Sequence, residues 1–402
     1  MSEYIRQVKN LPKPLNPSLG SIDIELTERC NNRCIHCYIN QPEDDLHLKA
    51  LEMDTAFVQD VLKQAADLGC LSVRFTGGEP LLRDDFSELY LFARRLGLKV
   101  FIFTNARLIT PEIVRLFSRI PPGKPIEVSV YGMHASSYDA VTAMRGAFDQ
   151  FWQGITLLRE HHIPFIVKQS LLPQNRDELP EFETFAATLP HMELKPTYAM
   201  NFDLRTRRDD PAKNRLIRRL RLSPDETLAM LTREPEKYLG GMRQFASKFM
   251  HPTGDEIFNC GAGERPSIDA YGKAQMCMLL RHPDTVYSLD PKMHHERNPE
   301  SNLQPLEYAL TEFFPRIRRM RSVNPEYLKR CAVCFLKGLC EQCPAQSWEE
   351  HGILDSPVDY LCRVAHTQAV YLGLLFNGER SWELAPEVWQ ARLKTFTNTR
   401  EA

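Results

Sequence analysis

The chain has 402 residues, 25% of them charged, and a formal net charge of -2, so charge gives no sign of a nucleic-acid partner. Met1 to Asn10 lacks the apolar centre of a secretory signal, and no window reaches the roughly 18 apolar residues of a membrane span. A cytoplasmic protein with neither membrane nor nucleic acid as partner is therefore expected, and its eleven cysteines point to metal binding or catalysis instead of a disulfide scaffold.

Taken in order, Pro12, Pro14 and Pro17 make residues 1–20 an extended arm. From 21 to 204, strand-like runs alternate with helical ones, with strands expected at 21–26, 71–76, 98–103, 125–131, 164–170 and 192–198. The helices between them carry their own punctuation. Asp54 and Thr110 precede helical runs, the second with Pro111 at the first helical position, and Gly69 and Gly97 end runs. The pattern predicts an α/β fold, a partial (β/α)6 barrel with its site at the carboxyl ends of the strands.

Residues 205–255 read as a helical bridge that opens with Arg205, Arg207, Arg208, Lys213, Arg215, Arg218, Arg219 and Arg221. This run is either a solvated helix face or a dock for an acidic peptide or an electron-donating flavoprotein. Ser223-Pro224-Asp225-Glu226 has a capping-box pattern. Residues 256–370 form a cysteine-rich domain and 371–402 a C-terminal helix and tail, with Val364 to Leu375 a packing helix and Trp382 and Trp389 packing residues.

The chemistry is concentrated at Cys30, Cys34 and Cys37, three thiols on one short loop after the first strand. A four-iron cluster wants one ligand per iron, so three cysteines leave one iron open to a ligand that is not protein. Zinc held by these cysteines and His36 is the competing reading. The second strand ends in Thr76-Gly77-Gly78-Glu79-Pro80, the third in Thr104-Asn105-Ala106 and the fourth in Ser129-Val130-Tyr131-Gly132.

Together these motifs resemble the radical SAM superfamily, departing from it at Ala106, where relatives carry glycine, and at Tyr131, where they often carry an acidic residue. The resemblance implies a [4Fe-4S] cluster on Cys30, Cys34 and Cys37 that binds S-adenosyl-L-methionine (S-adenosylmethionine). It also implies His36 beside the adenine, the Gly77, Gly78, Glu79, Pro80 turn receiving the methionine amino group, and Asn105 in the third turn. Ser129 is the expected ribose contact, while Arg145, Lys168 and Gln169 are expected near strand ends, toward the cofactor carboxylate or substrate. No catalytic side chain is singled out, and Cys70 is assigned to the core.

The remaining cysteines are Cys260 and Cys277, with Gly272 between them, then Cys331, Cys334, Cys340, Cys343 and Cys362. Alone, the Cys331 to Cys343 block would pass for a zinc knuckle. With the flanking cysteines it resembles the SPASM extension of radical SAM enzymes, which implies two auxiliary [4Fe-4S] clusters and three in all. The outer one falls to Cys331, Cys334, Cys340 and Cys362, the inner one to Cys260, Cys277 and Cys343 with a ligand short.

The implied activity is reductive cleavage of S-adenosylmethionine to a 5'-deoxyadenosyl radical and modification of a ribosomally synthesised precursor peptide by crosslinking, rearrangement or excision. The implied partners are a separate leader-peptide recognition protein and a flavodoxin or ferredoxin-type electron donor. A tetrapyrrole or other small-molecule substrate is the alternative, and a non-catalytic metal-binding interaction protein the remote one.

Overall fold

A computed structural model describes residues 19–192, 198–199, 210–340 and 342–398. The chain divides into two units, Met1–Ala199 with Gly261–Ile317, and Met200–Cys260 with Arg318–Ala402.

The first unit is built on six parallel strands, β1 (Ser21–Thr27), β2 (Ser72–Gly77), β3 (Lys99–Thr104), β4 (Ile126–Val130), β5 (Phe165–Ser170) and β6 (Tyr198–Ala199). Their spatial order follows the chain, as consecutive βαβ units require. The crossover helices are α1 (Thr55–Asp67), α2 (Phe86–Arg95), α3 (Pro111–Arg119), α4 (Ala135–Thr142), α5 (Ala147–Glu160) and α6 (Leu179–Ala187). Asp54 caps α1 by accepting from the Phe57 N–H at 2.8 Å, and Thr110 caps α3. Gly69 and Gly97 both take left-handed φ at helix ends, as their positions predict.

Side chains alternate across the sheet with period two, so one face buries Ile22, Ile24, Val73, Phe75, Val100, Ile102, Val128 and Val167. The opposite face carries Asp23, Glu25, Arg74, Phe103, Glu127, Ser129 and Lys168. Asp23 pairs with Arg74 and Glu127 with Lys168, while both cations lie over the Phe103 ring, at 4.4 and 5.6 Å. Apolar burial on one face and polar pairing on the other give the partial-barrel arrangement of a helix-covered outside and a polar inside.

Three further strands extend this sheet beyond β1: β7 (Ser267–Ile268), parallel to it at Asp23 and Ile24, then the antiparallel β8 (Lys273–Gln275) and β9 (Val286–Ser288). The segment 256–370, read from the sequence as one cysteine-rich domain, is consequently shared between the two units, with Gly261–Ile317 joined to the sheet by these ladders.

The second unit contains α7 (Pro211–Leu220), α8 (Pro224–Leu231), α9 (Pro235–Phe249), α10 (Pro344–His351), α11 (Asp359–Tyr371) and α12 (Pro386–Asn398). The Ser223 and Glu226 capping box is formed at the start of α8. Phe335, fully buried, stacks on Trp389 at 5.2 Å between ring centroids and anchors the core with Leu336, Ala369 and Leu374. Part of the basic run is neutralised internally, since Arg221 meets Glu350 at 2.6 Å with both side chains buried and Arg218 approaches the same carboxylate. Arg205, Arg207 and Arg208 lie outside the described residues. Among the described residues no helix is long and apolar enough to cross a membrane.

Candidate active site

The cysteine loop leaves β1 and is gripped from three sides. From β2, the Gly78 N–H donates to Thr27 O at 2.7 Å and the Glu79 N–H to Arg29 O at 3.0 Å. The two glycines make that approach possible. A Cβ on Gly77 would lie 2.1 Å from Thr27 O, and one on Gly78 would lie 2.2 Å from Arg29 O. Gly77 also has φ +126, a conformation that L side chains rarely adopt.

From β3, the Asn105 side chain donates to Asn31 Oδ1 at 2.7 Å and lies 3.8 Å from Cys30 Sγ. Arg107 donates to Asn31 O and to Asn32 Oδ1, and its other edge is held by Gln150 Oε1 at 3.0 and 2.6 Å. From α4, the carbonyls of Thr142 and Val141 accept the Arg33 and Ile35 N–H groups at 2.9 Å each. Arg107 and the end of α4 were missed by sequence reasoning. The only signal for Arg107 was its place two residues after Asn105, in a turn already marked as functional.

Glu79 acts beneath the loop. It is fully buried and accepts from Thr104 Oγ1 (2.8 Å), the Asn105 N–H (2.8 Å) and the Leu81 N–H (3.1 Å), so it fastens the β2 turn to the end of β3. Burial outweighs these donors and lifts its carboxyl to about 7. Ala106 takes φ 62, a left-handed conformation that favours glycine, and Gly154 of α5 leaves room for its carbonyl, since a Cβ there would lie 2.0 Å from Ala106 O.

Cys30 and Cys34 are buried and Cys37 is half-buried, and none of the three forms a disulfide. Burial first, then the neighbouring Cys34 and Glu79, push the Cys30 thiol well above its ordinary range. His36 packs against Tyr131 at 5.7 Å, and Tyr131 against Tyr138 at 5.6 Å. Tyr138 is fully buried on the face of α4 that grips the loop, and its hydroxyl has no hydrogen-bond partner.

Ser129 is the penultimate residue of β4, beside Lys168 in the register. Lys168 is committed to Glu127 at 2.9 Å. Arg145 is exposed in the turn between α4 and α5, not at a strand end as expected, because two consecutive helices follow β4. Gln169 points to the opposite, buried face of β5 from Lys168. Sequence reading also missed a buried charge group near β1. Arg281 donates to both Glu25 oxygens at 2.8 and 2.6 Å and to Glu28 at 2.7 Å, and Glu28 accepts from Tyr271 at 3.0 Å. Cys70 is wholly buried and donates to Ser72 O, a core thiol as expected.

In the second unit, Cys331, Cys334, Cys340 and Cys362 line one cavity. Cys343 stands at the start of α10 and does not line it. Burial pushes Cys331 to about 12 and Cys334 to about 11. Lys337, buried in the cavity wall, donates to Glu256 O at 3.0 Å, to the Tyr327 hydroxyl at 2.5 Å and to Thr253; burial pulls its ammonium down to about 8 against the nearby thiols. Trp382, expected to be a packing residue, lines the cavity and covers His366 at 5.3 Å, because a turn of the C-terminal segment folds back over the thiols. Cys277 belongs to the first unit, and Cys260 and Cys343 to the second.

The donor sets suit iron–sulfur chemistry. Each is made of cysteines that form no disulfide, the ligand type iron–sulfur clusters take.

A three-thiol loop closing the first strand of a parallel partial barrel is the arrangement of a radical SAM domain, and residues 24–186 match the radical SAM superfamily. That match is confined to residues 24–186, and the fold is similar to those of the solved structures of SuiB and anSMEcpe. It is 32% identical over 155 residues to an AdoMet-dependent heme synthase of Methanosarcina barkeri, covering 39% of this chain and 43% of that protein. It is 32% identical over 169 residues to a PqqA peptide cyclase of Gluconobacter oxydans, covering 42% and 46%. Both matches therefore span less than half of the relative. A PqqA peptide cyclase of Xanthomonas axonopodis pv. citri is 28% identical over 285 residues, 63% of this chain and 69% of that one. Among solved structures, Streptococcus suis SuiB bound to its precursor peptide SuiA superposes with a TM-score of 0.55 at 16% identity, covering 90% of this chain and 79% of SuiB. anSMEcpe with AdoMet and the Kp18Cys peptide gives 0.57 at 14% identity, covering 94% and 99%.

Proposed function

We propose that this chain is a radical SAM enzyme that modifies a ribosomally synthesised peptide. The observation that carries the reading is the cysteine loop, held rigid by backbone and side-chain contacts from β2, β3 and α4 while its three thiols stay uncommitted to any disulfide. In this reading Cys30, Cys34 and Cys37 hold the first cluster and Cys331, Cys334, Cys340 and Cys362 an auxiliary one, while a third rests on the cysteine resemblance alone. Bound together, the first cluster and S-adenosylmethionine would supply a 5'-deoxyadenosyl radical.

The chain's own residues provide position and a sheltered surface. Gly77, Gly78 and Pro80 would hold the methionine part of the cofactor, and Glu79 holds that turn through Thr104, Asn105 and Leu81. His36, Asn105 and Ser129 would hold the rest of it. Arg145 and Lys168 are the weaker contacts, the first exposed in its turn and the second occupied by Glu127. The paired charges and Phe103 on the inner face of the sheet would meet substrate.

A peptide is favoured over a tetrapyrrole because the similarity to one peptide cyclase runs over 285 residues, past the radical SAM domain, whereas heme synthase matches run over 155 to 178. The small-molecule reading keeps its support from that second relative. A separate leader-peptide recognition protein and a flavodoxin or ferredoxin-type donor complete the proposal.

The deciding experiment is anaerobic iron and sulfide analysis with reductive cleavage of S-adenosylmethionine, on wild type and a Cys30/Cys34/Cys37 triple alanine. The expected result is about twelve irons and cleavage in wild type, with about eight irons and no cleavage in the variant. Zinc in place of iron, or a variant that still cleaves, would overturn the reading. A mass change on a co-encoded precursor peptide, but not on an iron porphyrin, would separate the two substrate classes.

A further inference from the structure

The cavity lined by Cys331, Cys334, Cys340 and Cys362 is closed by a bridge from a part of the chain with no cysteine in it. Ser381 opens a short 3-10 turn and is 1% exposed. Its hydroxyl lies 2.9 Å from Cys334 Sγ and 3.1 Å from His366 Nε2. On the other side of the imidazole, His366 Nδ1 lies 2.8 Å from Cys362 O and 3.6 Å from Cys362 Sγ.

The proton positions follow from one contact. The Ser381 backbone N–H donates to His366 Nε2 at 3.2 Å, so Nε2 is the acceptor nitrogen and Nδ1 carries the proton, which it donates to Cys362 O at 2.8 Å. With the Nε2 lone pair serving the backbone, the Ser381 hydroxyl proton is free to point at Cys334. The imidazole, anchored on the Cys362 carbonyl, thus orients the Ser381 hydroxyl toward the Cys334 sulfur. Its position is set by packing, since Trp382 lies against both the His366 ring (5.3 Å) and the Arg330 guanidinium (4.8 Å), and Arg330 Nη2 is itself 3.8 Å from Cys362 Sγ.

We propose that Ser381, held in place by His366, hydrogen-bonds Cys334 and so raises the reduction potential of an iron–sulfur cluster held in this cavity. The inference rests on the cluster reading above. Hydrogen bonds to ligating sulfurs are among the levers that set cluster potentials. A donor stabilises the extra negative charge of the reduced state more than the oxidised state, so removing it makes the cluster harder to reduce.

The test uses the full-length chain, reconstituted anaerobically in the Cys30/Cys34/Cys37 triple-alanine background so that the first cluster's signal is absent. Ser381→Ala, Ser381→Thr and His366→Gln are compared by iron content and by redox titration followed by electron paramagnetic resonance. Ser381→Ala is expected to keep its iron and move the midpoint to more negative potential, with Ser381→Thr, which retains a hydroxyl, returning it toward the parent value. An unchanged midpoint at unchanged iron overturns the proposal. If Ser381→Ala loses iron, His366→Gln decides: a lowered midpoint with iron retained supports tuning, and an unchanged midpoint or loss of iron there too makes the bridge a structural cap only. Failure of the cluster reading would look different, since replacing Cys331, Cys334, Cys340 and Cys362 would then remove no iron.

Discussion

At Gly78 a single hydrogen separates the fold from a steric collision. The atoms nearest to a methyl group at this position would be Arg29 O at 2.2 Å and Glu28 O at 2.6 Å, backbone that cannot swing aside without moving Cys30. Gly78→Ala should therefore destabilise the first unit by about 4 kcal/mol or more, read as a fall in the urea midpoint, with loss of about four irons. A variant with wild-type iron and midpoint would show that the β2 turn does not brace the loop. Glu79 lends the same turn a pH dependence. Its carboxyl ionises near 4.5 in the unfolded chain and near 7 in the fold. Between those values the fold retains a proton that the unfolded chain has released. The stability this supplies is complete below 4.5 and is lost as pH rises through about 7, with a slope of up to about 1.4 kcal/mol per pH unit. Glu79→Gln should remove that slope, measured as the difference between wild-type and variant urea midpoints across the window in the iron-free chain.

At the level of elements, the loop is held by cross-braces that differ in how readable they were. The six parallel strands and their caps follow from period-two apolar runs, Asp or Thr before helices and glycine after them, so the sheet was legible from the sequence, to within a residue or two at the ends of its first five strands. The three added strands were not, because Ser267–Ile268 and Lys273–Gln275 are too short to show a period and form only by pairing with a sheet more than two hundred residues earlier. The same limit applies to Arg107, Arg281 and Ser381, whose partners are set by tertiary approach. Arg107 offers the sharpest test of bracing. Its guanidinium reaches Asn31 and Asn32 with one edge and Gln150 with the other, a span that lysine cannot reproduce. Arg107→Lys should weaken the loop by about 1–3 kcal/mol, seen as faster amide exchange at Arg33 and Ile35 and faster loss of iron to a chelator. Exchange and iron loss equal to wild type would remove Arg107 from the bracing.

For the whole molecule, the two units make different demands on a cluster. The first unit has its own apolar layer between sheet and helices, with Val73, Phe75, Val100, Ile102 and Val128 at 1% exposure or less, and needs no metal to bury it. In the second unit, α11 contributes Cys362 and His366 to the thiol cavity while the segment carrying Cys331, Cys334 and Cys340 forms the facing wall. Without a cluster that wall buries protonated thiols and the Lys337 ammonium; with one, four thiolates are tied to iron beside a cation, and ligand binding becomes folding free energy. Replacing Cys331, Cys334, Cys340 and Cys362 by alanine should therefore lower amide protection across α11 and the Phe335–Trp389 core by about a thousandfold, roughly 4 kcal/mol, while leaving protection in β1 to β5 unchanged. Hydrogen exchange read by mass spectrometry on the anaerobically reconstituted chain distinguishes this from a cluster that is only a passenger. In that case α11 would exchange at the same rate with and without its four thiols, and the stability of the second unit would lie in its helix packing alone.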